Sequence, residues 1–103
     1  MPKFCANLSL LFNEVSWPAR FQAAAAADFD AVEIQFPYHL AEDELVRLLH
    51  DNQQQLVLLN MPAGDWDAGE RGIACLPDRE QEFRSGIEQA LDYAQATHCK
   101  QIN

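Results

Sequence analysis

The sequence predicts an α/β chain, a parallel sheet with helices in alternation, in the order βαβαβαβ. Three observations predict it. Short strand-like stretches fall at residues 4–8, 31–36 and 55–60, and residues 100–103 read as the start of a fourth. Stretches with helical features lie between them, at 17–28, 42–52 and 78–98. The third strand-like stretch, at Leu56-Val57-Leu58-Leu59, is continuously apolar, as in a strand covered on both faces. Alternation of this kind implies right-handed crossovers and hence parallel strands.

Each element has its own justification. Residues 4–8 read as a short strand, followed by a loop over 9–15. Ser16 is placed to cap the first helix, with Pro18 tolerated in the first turn. That helix carries Phe21 and the run Ala23 to Ala27, whose propensity is high and whose small side chains let it lie close to a sheet. It should end near Asp28, where the chain turns left-handed and where glycine is the usual residue. In the second strand Val32, Ile34 and Phe36 share one face, and Ala31, Glu33 and Gln35 share the other. Pro37-Tyr38 closes it. The second helix opens on Glu42, Asp43 and Glu44, which suit the positive end of its dipole. Leu45, Val46, Leu48 and Leu49 are its expected buried stripe. Asp78 is expected to cap the third helix, with Gln81 completing a capping box. The inner face of that helix should be Phe83, Ile87, Ala90, Leu91 and Ala94. The fourth strand has no helix after it, so the expectation is a truncated chain.

Composition narrows the function classes. A chain of 103 residues suffices for one small domain, 1–103, with a single core. The formal net charge of −9 argues against a nucleic-acid backbone or an anionic membrane as partner. No stretch reaches membrane-spanning length, and the start of the chain lacks a signal-peptide pattern. Cys5, Cys75 and Cys99 are odd in number and have no CxxC spacing, so neither a zinc site nor a disulfide framework is expected and a cytoplasmic location is the simpler reading.

Side-chain parity along the strands places Asn7, Gln35, Asn60 and Asn103 at or near the strands' C-terminal ends, with Glu33 on the same inward face. That is the end where a barrel builds its site. Four parallel strands and three helices fit half of an eight-stranded barrel or a small doubly wound sheet, and a polar inward column favours the barrel. No GxGxxG or GKS/GKT motif supports a nucleotide-binding sheet. After the third strand comes NMPAGDWDAGERGIACLP, residues 60–77, with three Gly, two Pro and one Trp. A connection this long without periodicity is commonly a binding loop.

Three stretches carry a family resemblance: FCANLSLLF near the start, FDAVEIQFPY at the second strand and, above all, LNMPAGDWDAGERGIACLP. The whole chain resembles the N-terminal part of the hydroxypyruvate isomerase and 2-oxo-tetronate isomerase family, within the xylose-isomerase-like TIM barrels. Asp28 departs from the family's glycine. The resemblance implies that the βαβαβαβ unit is the N-terminal half of a (β/α)8 barrel. It also implies a divalent metal, Mg or Mn, in the full-length parent, and proton transfer between neighbouring carbons of a small hydroxy-keto acid. Ligands and catalytic bases come from later strands in that family, so no catalytic or metal residue is expected within this segment and no metal is expected to be bound by it. What carries over is the wall of the substrate site: Asn7, Glu33, Asn60, Arg71 and Gly72.

Each candidate has a structural alternative. Arg71 can hold a substrate carboxylate bidentately, or form a surface ion pair with Glu70. Glu33 can hydrogen-bond near the substrate, or be a carboxylate satisfied by structural partners. Asp65 and Asp67 form a carboxylate pair without a third metal ligand in sequence. His39, His50 and His98 read as surface or capping residues. The free edges of the first and fourth strands are expected to drive homo-oligomer formation.

Overall fold

A computed structural model describes residues 2–103. Strand β1 spans Ala6–Asn7, β2 spans Ala31–Ile34 and β3 spans Gln55–Leu59. They form one parallel sheet in the order β1-β2-β3. Helices α1 (Trp17–Ala26), α2 (Glu42–Asp51) and α3 (Glu80–Thr97) follow the strands in turn. The expected fourth strand is present as its beginning: Ile102 bridges to Leu59 in parallel, and Asn103 exchanges backbone hydrogen bonds with Leu59 and Met61.

One side of the sheet meets the helices. Leu8, Phe21, Val32, Ile34, Leu45, Leu56 and Leu59 are fully buried there. The alternation read in β2 holds, with Val32 and Ile34 buried and Ala31 and Glu33 half-buried on the other face. In β3 the pairing skips a residue: Val32 faces Leu56, Glu33 faces Leu58 and Ile34 faces Leu59. Val57 is the extra residue of a β-bulge. The apolar run is therefore not covered evenly, since Leu56 and Leu59 are buried while Val57 and Leu58 are half-exposed.

The helix ends correct several expectations. Ser16 does stand at the cap position of α1, but its hydroxyl makes no capping bond. Asp78 does not cap α3. Pro77–Arg79 forms a 3-10 turn and the helix begins at Glu80. Arg79 is drawn instead into ion pairs with Glu70 and Glu82, which fixes the turn one residue beyond Asp78. Asp28 takes φ 69°, the left-handed turn expected there, and His98 closes α3 with φ 58°. In α2 Val46 is exposed, because Leu45, Leu48 and Leu49 alone reach the sheet. In α3 the buried residues are Gly86, Ala90, Tyr93 and Ala94, whereas Ile87 and Leu91 are exposed. The helix is rotated so that Tyr93 donates to the Leu40 carbonyl at 2.8 Å and packs edge-on to Tyr38, while Gly86 lets Pro62 lie against its backbone.

Candidate functional site

The C-terminal ends of the strands gather polar side chains by backbone register. Asn7 ends β1 and Glu33 is its partner on β2. The Asn7 amide donates to Glu33 Oε1 at 2.9 Å, and its carbonyl oxygen accepts the Ser9 N–H at 2.9 Å. Two opposite demands thus fix which way the amide points. The Ser9 hydroxyl in turn accepts the Gln35 N–H at 2.9 Å. Asn60, the residue after β3, donates its N–H to the Gln35 carbonyl at 2.9 Å. The Asn60 carbonyl accepts the Tyr38 hydroxyl, and its side-chain oxygen faces the Asn103 amide at 3.4 Å. Burial raises the Tyr38 phenol far above its ordinary value, with Tyr93 adding to the shift, so Tyr38 keeps the proton it donates to the Asn60 carbonyl. Asn7, Glu33, Gln35, Leu58, Asn60 and Asn103 line a recess of about 160 Å³.

Beside it the loop between β3 and α3 folds on itself. Gly72 N–H donates to Ala63 O at 2.9 Å, Glu70 N–H to Asp65 O at 3.0 Å, and Gly69 N–H to Trp66 O at 3.0 Å. Ile73 is 3% exposed and anchors the loop from below. The Glu70 carboxylate accepts the Asp65 N–H at 2.6 Å and two donors of Arg79. Arg79 also holds Glu82 through two bonds of 2.8 Å. These contacts, with the Arg79 guanidinium first, hold the Glu70 carboxyl down at about 2 and lower that of Glu82.

Arg71 therefore does not pair with Glu70. Its guanidinium lies 3.7 Å over the Trp66 ring, and Nη1 donates to the carbonyls of Trp66 and Glu70 at 2.9 and 2.8 Å. Trp66 packs on Phe36 with ring centroids 4.9 Å apart. Nε and Nη2 of Arg71 meet no acceptor among the described residues. Arg71, Gly72, Trp66, Phe36, Met61 and Phe83 face a second recess of about 330 Å³. Asn60 and Asn103 stand in the walls of both recesses, so the two adjoin.

The five residues read from the sequence thus fall at one end of the sheet, with Asn7, Glu33 and Asn60 in the first recess and Asn60, Arg71 and Gly72 at the second. The other candidates lie apart. The Asp65 side chain is occupied by the Ala68 N–H at 3.2 Å. Trp17 stacks on His39, His50 sits 3.6 Å from Asp51, and His98 ends a helix. Burial, with the Glu33 carboxylate adding to it, pushes the Cys5 thiol up, away from thiolate chemistry. Among the described residues no three His, Cys, Asp or Glu side chains converge as a metal cage would require. No helix among them is long and apolar enough to cross a membrane.

Sequence reasoning missed Tyr38, Phe36 and the Glu70–Arg79–Glu82 group as parts of this end. A tyrosine directly after a strand-closing proline was a usable signal for Tyr38. Glu70 and Arg79 are nine residues apart across a non-periodic loop, and no spacing rule joins them.

The profile described as Xylose isomerase-like TIM barrel matches residues 21–103. The chain belongs to the xylose isomerase-like TIM barrel family. It is 52% identical, over its whole length, to hydroxypyruvate isomerase of Escherichia coli, of which it covers 40%. It is 52% identical over 91% of its length to 2-oxo-tetronate isomerase of Cupriavidus necator, covering 36% of that protein. Among solved structures, AP endonuclease, family 2, from Brucella melitensis superposes with a TM-score of 0.95 at 50% identity, over 99% of this chain and 40% of that one. The three-stranded unit is thus a TIM-barrel fragment, and the chain spans about 40% of the length of these relatives.

Proposed function

We propose that this chain is the N-terminal segment of an isomerase acting on a small hydroxy-keto acid, such as hydroxypyruvate or 2-oxo-tetronate, and that it builds one wall of the substrate site. The single observation that carries this reading is the convergence of Asn7, Glu33 and Asn60 on one recess that adjoins the unengaged donors of Arg71. The names of the relatives give the chemical class.

In this reading Arg71 holds the substrate carboxylate. The Trp66 stack and the two carbonyls fix one edge of the guanidinium and leave Nε and Nη2 as a planar fork. The approach at Gly72 is open, with nothing within 4 Å of where a side chain would start, and its φ of +110° favours glycine. Asn7, Glu33 and Asn60 hydrogen-bond the hydroxyl and carbonyl oxygens further in. The groups that move the proton come from outside residues 1–103, so the segment alone does not turn over. The divalent metal implied by the resemblance does not fit the donors here: Glu33 is the one carboxylate in the first recess, already engaged by Asn7, and Asn, Gln and one carboxylate fall short of a metal site. No step is therefore assigned to a metal through this segment. A cytoplasmic location belongs to the same reading.

The test is Arg71→Ala in a full-length isomerase carrying this segment. Losing a charged hydrogen bond should weaken substrate binding by about 1.5–3 kcal/mol, seen as a rise in KM. Unchanged KM and kcat would reduce Arg71 to a surface residue.

A second reading concerns the chain by itself, as a half-barrel that self-associates without catalysing. The exposed Ile87, Leu91 and Ile102 favour it, and β1 and residues 101–103 flank the sheet as edges. The net charge of −9 opposes it. Light scattering at micromolar concentration decides, and a monodisperse monomer of 11.6 kDa would end this reading.

A further inference from the structure

We infer that Glu70 and Arg79 are positioning residues that set the guanidinium of Arg71, by tying the turn that carries it to the first turn of α3. This rests on the reading of Arg71 as the carboxylate holder.

The inference follows the path of contacts. Arg71 is held from below by the Trp66 ring and from the side by the carbonyls of Trp66 and Glu70. All three holding groups lie within residues 65–70, so the guanidinium is only as well placed as that turn. The turn has little apolar packing of its own, since residues 65–69 are exposed and Trp66 is 42% exposed. What closes it is the Glu70 carboxylate. It receives the Asp65 N–H at the start of the turn and the Arg79 guanidinium from outside it. Arg79 is itself braced on Glu82, one turn into α3. The side chains of Arg79 and Glu70 are only 24% and 29% exposed, so solvent screens this pair less than a fully exposed one. Gly64 belongs to the same device. A Cβ there would come 2.6 Å from Glu70 Oε1, so the carboxylate occupies the space that a side chain at 64 would need. The chain of fixation thus runs from α3 through Arg79 and Glu70 to the turn, and from the turn to Arg71. The loop is long and glycine-rich, and its functional end is tied to α3 through these charged hydrogen bonds.

The test has two arms. In the 103-residue chain, Glu70→Gln and Arg79→Gln should broaden or collapse the Trp66 indole N–H and the amide signals of residues 65–72, while the signals of Tyr93 and Ala94 in the core stay in place. Arg79→Lys should recover part of the dispersion. Unchanged loop signals in both Gln variants would overturn the inference. In a full-length isomerase carrying the segment, Glu70→Gln should raise KM by about tenfold with kcat changed less than about twofold, the size expected when one charged hydrogen bond is misplaced. The decisive measurement is the double variant: in an Arg71→Ala background, Glu70→Gln should add less than about twofold. A full tenfold increment in that background would show that Glu70 acts independently of Arg71 and would overturn the inference. If Arg71→Ala leaves KM unchanged, the carboxylate reading fails by itself, and the loop signals still decide whether Glu70 and Arg79 order the turn.

Discussion

Two neighbouring regions serve the same end of this molecule and are built by different physics. The floor, with Asn7, Glu33 and Asn60, is placed by the sheet. Each side chain points where it does because β1, β2 and β3 pair in register over a buried apolar layer. The rim, with Arg71 and Gly72, is placed by a loop that buries one large apolar residue, Ile73, and relies on charged hydrogen bonds for the rest. The floor should therefore fail only when the whole domain unfolds, whereas the rim can loosen alone. Even the left-handed backbone positions divide this way. Around the sheet they are held by Phe12, Asp28, Gln53 and His98, and in the loop by glycines.

The largest expected effect tests the floor. Leu59 is fully buried at the end of β3, directly before Asn60. Leu59→Ala should cost about 2–5 kcal/mol, a large share of the stability of a small domain. Denaturant unfolding followed at the sheet and in the loop should shift together. An unshifted midpoint at the sheet would show that the floor does not depend on the whole core.

Gly64→Ala tests the rim. Position 64 has φ +84°, and the added Cβ would meet the Glu70 carboxylate and Ile73. The strain should be about 1–3 kcal/mol, confined to the loop. Hydrogen exchange at Glu70 and Gly72 should quicken while the midpoint of global unfolding stays nearly fixed. A full drop in that midpoint would mean that loop and sheet unfold as one unit.

Asp28→Gly goes the other way. Aspartate at φ 69° carries a strain that glycine lacks, so the substitution should raise the denaturant midpoint by up to about 1 kcal/mol. A lower midpoint would reveal a favourable local role for the aspartate.

The smallest effect is the response of the rim to acid. Glu70 is held at about 2, below the ordinary value of 4.5, by Arg79 and the Asp65 N–H. Its contribution is thus fully present above pH 4.5 and fades as pH falls toward 2. The Glu70 carboxyl carbon should titrate near the lower value by NMR, with loop order unchanged between pH 7 and 5. Titration in the ordinary carboxylate range would show that the Arg79 contact does not persist in solution.

What could be read from the sequence follows the same division. Period-two patterning put Val32 and Ile34 inside and Glu33 on the other face, and the strand ends brought Asn7 and Asn60 to one place. Helical periodicity was less reliable on α3. The apolar spacing of Ile87 and Leu91 fits an inner face as well as Tyr93 and Ala94 do, and only the Tyr93–Leu40 bond and the close approach of Pro62 to Gly86 choose between them. The cap at Asp78 failed because the Arg79 guanidinium, paired with Glu70 nine residues earlier, competed for the turn, a tertiary effect that no local motif records. Arg71 was found through resemblance. Its stacking on Trp66, and the pairing of Glu70 with Arg79 in place of Arg71, follow from the folded loop alone.

The extra residue at Val57 carries one more implication. An uninterrupted strand would keep odd and even positions on opposite sides, so Leu56 and Leu59 could not both enter the core. The bulge inserts a half-step in phase, after which the alternation starts again with Leu58 toward Glu33 and Leu59 toward the helices. Asn60 inherits that phase and arrives on the side of the recess. Closing the bulge with Val57 retained would leave the composition unaltered and still invert the alternation beyond Leu56, turning Leu59 out of the core and Asn60 away from Asn7 and Glu33. The floor of the site is thus written in a count of residues as much as in their identity.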